Sequence, residues 1–182
     1  NGASGFAVGT KGYLGIGYSL GSSLKDFWEY NPATNQWTAV KDFEGSGRSG
    51  ASSFSIGTKG YIARGTTGLE LNELWEYDPA TNDWTQKANV GGAGRSFCQV
   101  FVVNGKAYIS SGQGASTKDF WEYNPATNEW TAKADFTGTS VSHAAAFAIG
   151  SKGFFIGAGN KELYQYDPAT NQWTRKADFS GT

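Results

Sequence analysis

Hydrophobic residues recur at every second position along short segments of this chain, and glycine, proline or asparagine separates the segments. Within residues 45–91, the segments are Gly50–Ile56, Tyr61–Arg64, Leu74–Tyr77 and Asp83–Lys87. Alternation with period two is typical of β-strands, because successive side chains point to opposite faces of a sheet. No segment has a convincing helical period. The pattern therefore predicts an all-β chain built from meanders of four antiparallel strands.

The turns between these segments support the same prediction. Gly57–Gly60 predicts a tight turn between the first two strands, and Asn104-Gly105 in the next unit is a strong two-residue hairpin signal. Asp78–Asn82 predicts the turn before the fourth strand, because Asp caps nearby backbone, Pro presets φ and Asn tolerates the left-handed region. All four prolines fall in this same turn: Pro32, Pro79, Pro125 and Pro168.

An eleven-residue phrase that contains this turn occurs four times. The copies are Trp28–Thr38, Trp75–Thr85, Trp121–Thr131 and Tyr164–Thr174, at steps of 47, 46 and 43 residues. Self-similarity at such a period indicates a repeat architecture. One meander cannot bury both of its faces, whereas radial stacking of several copies covers them, as in β-propellers. We expect repeats at 1–44, 45–91, 92–137 and 138–182.

The repeat resembles the kelch repeat. The resemblance rests on a glycine after the second strand, an acid before the third, the aromatic-x-aromatic-[DN]-P phrase and a later tryptophan. The glycines are Gly17, Gly65, Gly112 and Gly159; the acids are Asp26, Glu73, Asp119 and Glu162; the tryptophans are Trp37, Trp84, Trp130 and Trp173. Two features depart from the pattern. Ile16, Arg64 and Ser111 replace a paired glycine, and the fourth repeat has Tyr164 for tryptophan and a shorter loop.

The resemblance implies a kelch-type β-propeller of four four-stranded antiparallel blades, either whole or part of a larger ring. Four blades are fewer than most kelch rings have, so three arrangements stay open. The chain closes as a four-bladed ring, a second copy completes the ring, or the ring includes further blades. The wording of the repeated turn is also similar to that of secreted or surface kelch proteins of bacteria, which implies an extracellular or cell-surface location.

Comparison of the four repeats separates two faces of the expected propeller. The first and third turns of each repeat are nearly uniform, whereas the loops between the second and third strands differ strongly. These loops are Tyr18–Lys25, Thr66–Asn72, Gln113–Lys118 and Asn160–Lys161. Variable loops on a rigid scaffold are where binding usually resides. The resemblance also implies binding through this face, which we call the loop-rich face.

The candidate contacts form two groups. Tyr18, Leu20, Leu69, Glu70, Gln113 and Asn160 belong to the variable loops, whereas Arg48, Arg95 and His143 stand at the starts of innermost strands, near the expected channel mouth. Val141 replaces the arginine in the fourth repeat. Two arginines at a ring mouth suit a carboxylate or an anionic sugar. The alternative, which we favour, is that each one bonds to a neighbouring loop.

Composition and charge narrow the function. The chain has 182 residues, a formal net charge of −1 and an aromatic share of 15%, which predicts a core of large rings. Lysines recur at one turn of each repeat (Lys11, Lys59, Lys106 and Lys152) and form no basic stripe, which argues against nucleic-acid binding. No apolar run has the length of a membrane span.

Candidate chemistry is sparse. His143 is the only histidine and Cys98 the only cysteine, so a His-based metal cluster and an internal disulfide framework are excluded. We expect Cys98 to be a buried small apolar residue. The copper oxidase of the kelch class needs two histidines and a Tyr–Cys pair, which this chain cannot supply. No nucleophile-base-acid arrangement is readable. We therefore expect no enzyme activity, no cofactor and no metal.

Two repeated sets each have two interpretations. The tryptophans could stack on sugars, but one ring at the same place in every repeat favours a core between blades. The four acids could attract a cation, but equivalent acids in each repeat more often accept nearby hydrogen bonds.

Three functions remain open. The first is a non-enzymatic module that binds a protein partner through the loop-rich face. The second is a carbohydrate-binding or sugar-processing propeller, which unpaired aromatic rings and convergent polar groups would favour. The third is a structural repeat fragment or engineered assembly unit without a ligand.

Overall fold

The computed structural model describes residues 1–110, 112–114, 118–139, 143–157 and 161–181. Within them the secondary structure consists of β-strands. In chain order these are β1 (Ser4–Val8), β2 (Lys11–Ser19), β3 (Ser22–Asn31), β4 (Gln36–Ala39), β5 (Ser52–Ile56), β6 (Lys59–Ala63), β7 (Leu74–Asp78), β8 (Asp83–Lys87), β9 (Arg95–Ser96), β10 (Gln99–Val103), β11 (Lys106–Ser110), β12 (Gln113–Gly114), β13 (Phe120–Asn124), β14 (Glu129–Lys133), β15 (Ala145–Ile149), β16 (Lys152–Ile156), β17 (Leu163–Asp167) and β18 (Gln172–Arg175).

The strands form four antiparallel sheets, which confirms the predicted fold class. The blades are β1–β4, β5–β8, β10-β11-β13-β14 and β15–β18, each a meander in chain order. A small ribbon of β9 and β12 lies beside the third blade. In the second blade, the predicted strands agree with the observed ones to within two residues at every end.

The turn chemistry is confirmed. Asn104 and Gly105 both have positive φ, 52° and 71°, as the tight hairpin between β10 and β11 requires. In the turn between β7 and β8, the Asp78 carboxylate accepts a hydrogen bond of 3.0 Å from the Ala80 N–H. Asn82 takes the left-handed region there with φ 53°. These local bonds explain why Asn or Asp, followed by Pro-Ala-Thr-Asn, recurs in every repeat.

The loop predicted at Tyr18–Lys25 is instead a hairpin that extends the first blade. A β-bulge at Gly15 and Gly17 interrupts the register of β2 and β3, after which pairing resumes through Tyr18 and Ser23. Leu20 and Gly21 close the hairpin with φ of 50° and 85°. The prediction was wrong because Leu at the first position is a poor sequence signal for a turn with two positive φ values.

Neighbouring blades pack through two different faces. The face of the first blade toward the second carries Phe6, Tyr13 and Phe27, and it meets Tyr77 and Trp84 of the second blade in one aromatic core. We call the face of a blade that carries residues such as Phe6 its phenylalanine face, and the face that carries residues such as Trp84 its tryptophan face. The same contact joins the second blade to the third and the third to the fourth.

The described residues form an open arc. Among these residues, close strand packing joins successive blades, and none of it joins the fourth blade to the first. The tryptophan face of the first blade and the phenylalanine face of the fourth are exposed, as shown by Trp37 and Ile149. The structure therefore does not have the closed four-bladed arrangement, and two of the three arrangements remain.

Candidate functional site

A cleft of about 510 Å³ opens on the loop-rich face between the first two blades. The first blade contributes Tyr18, Gly21 and Ser23 from its extended hairpin. The inner strand start of the second blade contributes Ser49, and its loop contributes Thr66, Thr67 and Gly68. Two blades thus build one concave surface, and hydroxyl groups make up most of its side chains.

Backbone hydrogen bonds hold the second wall of this cleft. The N–H of Ser49 donates to the carbonyl of Thr66 over 3.1 Å, and the Thr66 N–H returns a bond of 2.9 Å to Ser49. The Thr66 hydroxyl accepts from the N–H of Gly68. A wall tied in this way presents its side chains in a fixed geometry, which lowers the entropy that binding would otherwise cost.

One predicted contact lines this cleft, and two others are next in sequence to residues that line it. Tyr18 lines it with a ring that is half-exposed, and Leu20 stands beside it at the hairpin tip, wholly exposed. Leu69 follows Gly68 on the opposite wall and is 76% exposed. Each exposed leucine is therefore next in sequence to a residue that lines the cleft, Gly21 on one wall and Gly68 on the other.

Arg48 is placed differently from these loop residues. It is fully buried, and each of its nitrogens has a partner. Nη2 bonds the Glu73 carboxylate at 2.5 Å, Nη1 bonds the Arg64 carbonyl and Nε bonds the Ser46 carbonyl. The Arg48 guanidinium and the Trp75 indole hold the pKa of Glu73 below its usual value, although burial of that carboxyl acts in the opposite direction.

Arg95 is also buried in the next blade, but among the described residues its Nε and Nη1 have no hydrogen-bond partner. Its guanidinium is buried and forms an ion pair with Asp119. The carbonyls of Arg48 and Arg95 accept bonds from Gly17 and Gly65, the glycines of the preceding blades. Both glycines have φ near 100°, a conformation that side chains disfavour. The arginines thus belong to the frame of the channel.

Arg64 is a buried residue that sequence reasoning did not select. It replaces the first of the paired glycines and keeps a glycine-like φ of 61°. Its Nη2 donates to the Gly91 carbonyl over 3.0 Å, and its Nη1 lies 3.5 Å from the Cys98 sulfur. The departure from the glycine pair was the available signal. Burial raises the pKa of the Cys98 thiol, with Arg64 acting against the shift.

The acids before each third strand bond to the aromatic residue two positions later. The Trp28 indole donates to Asp26 at 2.9 Å, Trp75 to Glu73 at 3.1 Å and Trp121 to Asp119 at 2.9 Å. The hydroxyl of Tyr164 bonds Glu162 at 3.5 Å. No group of three or more potential metal ligands occurs among the described residues.

The other predicted contacts are dispersed. Glu70 accepts a bond of 3.1 Å from the Ser96 hydroxyl, and Gln113 is exposed in the ribbon of β9 and β12. His143 is exposed, with its ring stacked on Phe97 at 4.1 Å between centroids. Asn160 lies outside the described residues, as do Ser111, Val141 and Gly159. Within the part of the chain that is described, no helix is long and apolar enough to cross a membrane.

Comparisons with known proteins agree with this architecture. The family model of the Kelch motif matches residues 47–91 and 94–137. The solved structure of YjhT matches all of this chain with a TM-score of 0.81 at 20% identity. This chain spans 66% of the length of that one. No curated protein matches the sequence.

Proposed function

We propose that this kelch-repeat β-propeller, whose fold supports a binding or scaffold role, binds a protein partner through its loop-rich face. The observation that carries the proposal is the pair of exposed leucines, Leu20 and Leu69, each of which is next in sequence to a residue that lines the same cleft as Tyr18. The cleft between the first two blades is the centre of the proposed contact.

The chemistry of these side chains suits a protein surface. Exposed apolar side chains that lie around one concave surface are typical of protein interaction sites. Tyrosine is enriched in protein interfaces because its ring supplies contact area with little loss of rotamer entropy. Because hydrogen bonds fix the second wall of the cleft, Leu69 is presented next to a preorganised surface.

We also propose that binding is non-covalent, in line with the generally non-enzymatic kelch repeat. The residues with reactive side chains have structural partners. His143 stacks on Phe97, and the pKa of the Cys98 thiol is raised by burial, which disfavours the thiolate needed of a nucleophile. Arg48 and Arg95 have carboxylate partners within the chain.

A second candidate is carbohydrate binding at the same cleft. Four hydroxyl side chains, Ser23, Ser49, Thr66 and Thr67, surround the half-exposed ring of Tyr18. Sugars present a hydroxyl-rich rim and apolar ring faces, so a tyrosine ring among hydroxyl groups is complementary to both. This observation favours a neutral sugar over an anionic one, because neither lysine nor arginine is among the residues that line the cleft.

Selection from a display library of random peptides tests the protein-binding proposal. Peptides that bind the immobilised chain are expected to weaken at least tenfold against the variant with Leu20→Ser and Leu69→Ser. Ile149→Ser is the control, since Ile149 is also apolar and exposed but lies on the fourth blade. Peptides that bind both variants alike would contradict the proposal.

A glycan array tests the second candidate with two substitutions of Tyr18. Tyr18→Ala removes the ring and is expected to abolish sugar binding, whereas Tyr18→Phe keeps the ring and retains most of it. An array with no bound sugar would remove this candidate. Failure of both screens would leave the third interpretation, a structural repeat unit without a ligand.

A further inference from the structure

Each internal contact between blades contains a phenylalanine knob. The Phe6 ring of the first blade occupies the space where a Cβ of Gly60 would stand, 1.9 Å away. The Phe101 ring fills the same space beside Gly153, at 2.0 Å. We call these glycine positions sockets; at the contact of the middle blades, Ala107 takes the socket position opposite Phe54.

One socket and one knob are left over. Gly12 is the socket position of the first blade, and the nearest atom to its missing Cβ is Cβ of Tyr30, 3.9 Å away. Phe147 is the knob position of the fourth blade and is exposed. The first blade therefore has an unfilled socket at one end of the arc, and the fourth blade has an exposed knob at the other end.

A second device joins neighbouring blades, a clamp made by tryptophan and asparagine. Trp130 donates its indole N–H to the Ala88 carbonyl at 2.9 Å, and the Asn128 amide oxygen accepts the Ala88 N–H at 3.0 Å. Trp173 and Asn171 hold both backbone groups of Ala134 in the same way. Each clamp therefore binds the segment that follows the last strand of the preceding blade.

The first blade has the residues of this clamp, Asn35 and Trp37, but no described segment of another blade is bonded to them. Asn35 has the same left-handed backbone as its counterparts and accepts the Tyr30 hydroxyl at 2.9 Å. Among the described residues, the indole N–H of Trp37 has no acceptor. The fourth blade ends in the complementary segment, at Ala177.

Exposure follows the same pattern. Trp37 is 52% exposed, whereas its counterpart Trp84 in the second blade is 3% exposed. Phe179 at the end of the fourth blade is 56% exposed, whereas its counterpart Phe136 is 2% exposed. Faces of this composition are buried wherever the chain supplies a neighbour, so their exposure is a cost that a further blade would remove.

The length of a similar solved structure indicates the size of the missing part. The whole chain follows the YjhT structure and spans 66% of its length, the share that four blades have in a ring of about six. The remaining gap fits about two blades of this size. A second copy of the chain brings four blades, which that gap does not hold.

We infer that the two open faces bind a two-bladed kelch unit, which completes a ring of about six blades. One of its blades inserts a phenylalanine into the Gly12 socket and lays its last segment against Trp37 and Asn35. Its other blade offers a small residue to Phe147 and a Trp–Asn clamp to Ala177. This inference is independent of the ligand proposed for the loop-rich face.

An extended chain tests the inference. Residues 45–137 are copied and placed after Ser180, which aligns with Thr137 at the end of the third repeat, so that blades of the second and third type follow the fourth. Trp37→Phe and its matched control Trp84→Phe are made in both the 182-residue chain and the extended chain. The midpoint of denaturation and the mass in solution are measured for each protein.

In the 182-residue chain, Trp84→Phe is expected to lower the midpoint, and Trp37→Phe is expected to leave it unchanged. In the extended chain, both substitutions are expected to lower it alike, because Trp37 then bonds a neighbouring segment. A Trp37→Phe that stays neutral in the extended chain would overturn the inference. A discrete dimer of the 182-residue chain would overturn it as well, since a second copy would then cover the faces.

Discussion

The indole N–H of Trp84 donates a hydrogen bond of 3.2 Å to the carbonyl of Lys41 in the preceding blade. The Lys41 N–H is bound as well, by the amide oxygen of Asn82 at 2.9 Å. Both backbone groups of one linking residue are thereby bonded to side chains of the next blade. The repeated phrase that contains Asn82 and Trp84 is thus a device that joins blades.

The asparagine of the clamp can be tested against its own counterpart. Asn128→Ala removes the acceptor of both the Tyr123 hydroxyl and the Ala88 N–H, whereas Asn35→Ala removes only the acceptor of Tyr30. Both asparagines have φ near 55°, so the backbone strain of alanine is common to the two variants. We expect Asn128→Ala to lower the free energy of unfolding by about 1–3 kcal/mol more than Asn35→Ala. Equal losses in urea denaturation would contradict the clamp.

The sockets predict opposite effects for two glycines. Gly60→Ala forces its new methyl group into the Phe6 ring and is expected to cost about 1–3 kcal/mol. Gly12→Ala meets no atom closer than 3.9 Å and is expected to be neutral or stabilising by about 0.5–1 kcal/mol, since a strand glycine loses more entropy on folding than alanine. Thermal unfolding of both variants measures the difference. A Gly12→Ala as damaging as Gly60→Ala would show that this socket is filled.

A buried ion pair in the channel frame gives a third prediction. Arg48 is fully buried, and Glu73 is its carboxylate partner. Glu73→Ala leaves the Arg48 charge without a counterion, and such losses cost about 3–5 kcal/mol. Glu44→Ala is the control, because the ion pair of Glu44 with Lys41 is largely exposed, and it is expected to cost at most about 1 kcal/mol. Urea unfolding that ranks the two variants equally would contradict a structural role for the pair.

A tyrosine–glutamate pair predicts loss of stability in acid. The Glu122 carboxylate accepts the Tyr108 hydroxyl at 2.7 Å and pairs with Lys106 at 2.8 Å. Burial acts to raise the pKa of Glu122, but these partners together hold that pKa below the ordinary value of 4.5. Because the folded state then binds protons less readily than the unfolded state, this contribution is present above about pH 4.5 and is lost as pH falls through the lower folded pKa.

Unfolding of Glu122→Gln between pH 7 and pH 3 measures this contribution. We expect the variant to lose less stability on acidification than the wild-type chain does. The fourth blade suggests why glutamine is a tolerable substitute, because Gln165 stands at the equivalent position and pairs across the strands with Phe154 in place of tyrosine. Parallel pH profiles of the two proteins would contradict the assignment.

Much of the fold was predictable because local chemistry repeats. Turns with Asx caps and left-handed asparagines depend on residues within five positions of each other, so the local sequence is enough to predict them. The eleven-residue phrase, which occurs four times, then predicted a radial stack of blades. The extended hairpin at Leu20 was not predicted. It follows a bulge at Gly17, and the φ of 50° at Leu20 is unusual for a leucine.

The candidate site was less predictable than the fold. Arg48 and Glu73 were each noticed in the sequence, but their pairing depends on a loop that brings residues 25 positions apart into contact. The cleft depends on two blades at once, which no single repeat encodes. The exposed faces could not be predicted from the sequence either. Trp37 and Trp84 occupy equivalent positions in their repeats and differ only in whether another blade packs against them.

Hydrogen exchange of the indole N–H groups, followed by NMR on the 182-residue chain, tests the open arc most directly. The indoles of Trp84, Trp130 and Trp173 are bonded to backbone carbonyls of a neighbouring blade and are expected to exchange slowly. Trp37 is expected to exchange rapidly. Protection of Trp37 equal to that of Trp130 would contradict the account, because it would show that this face is covered in the chain alone.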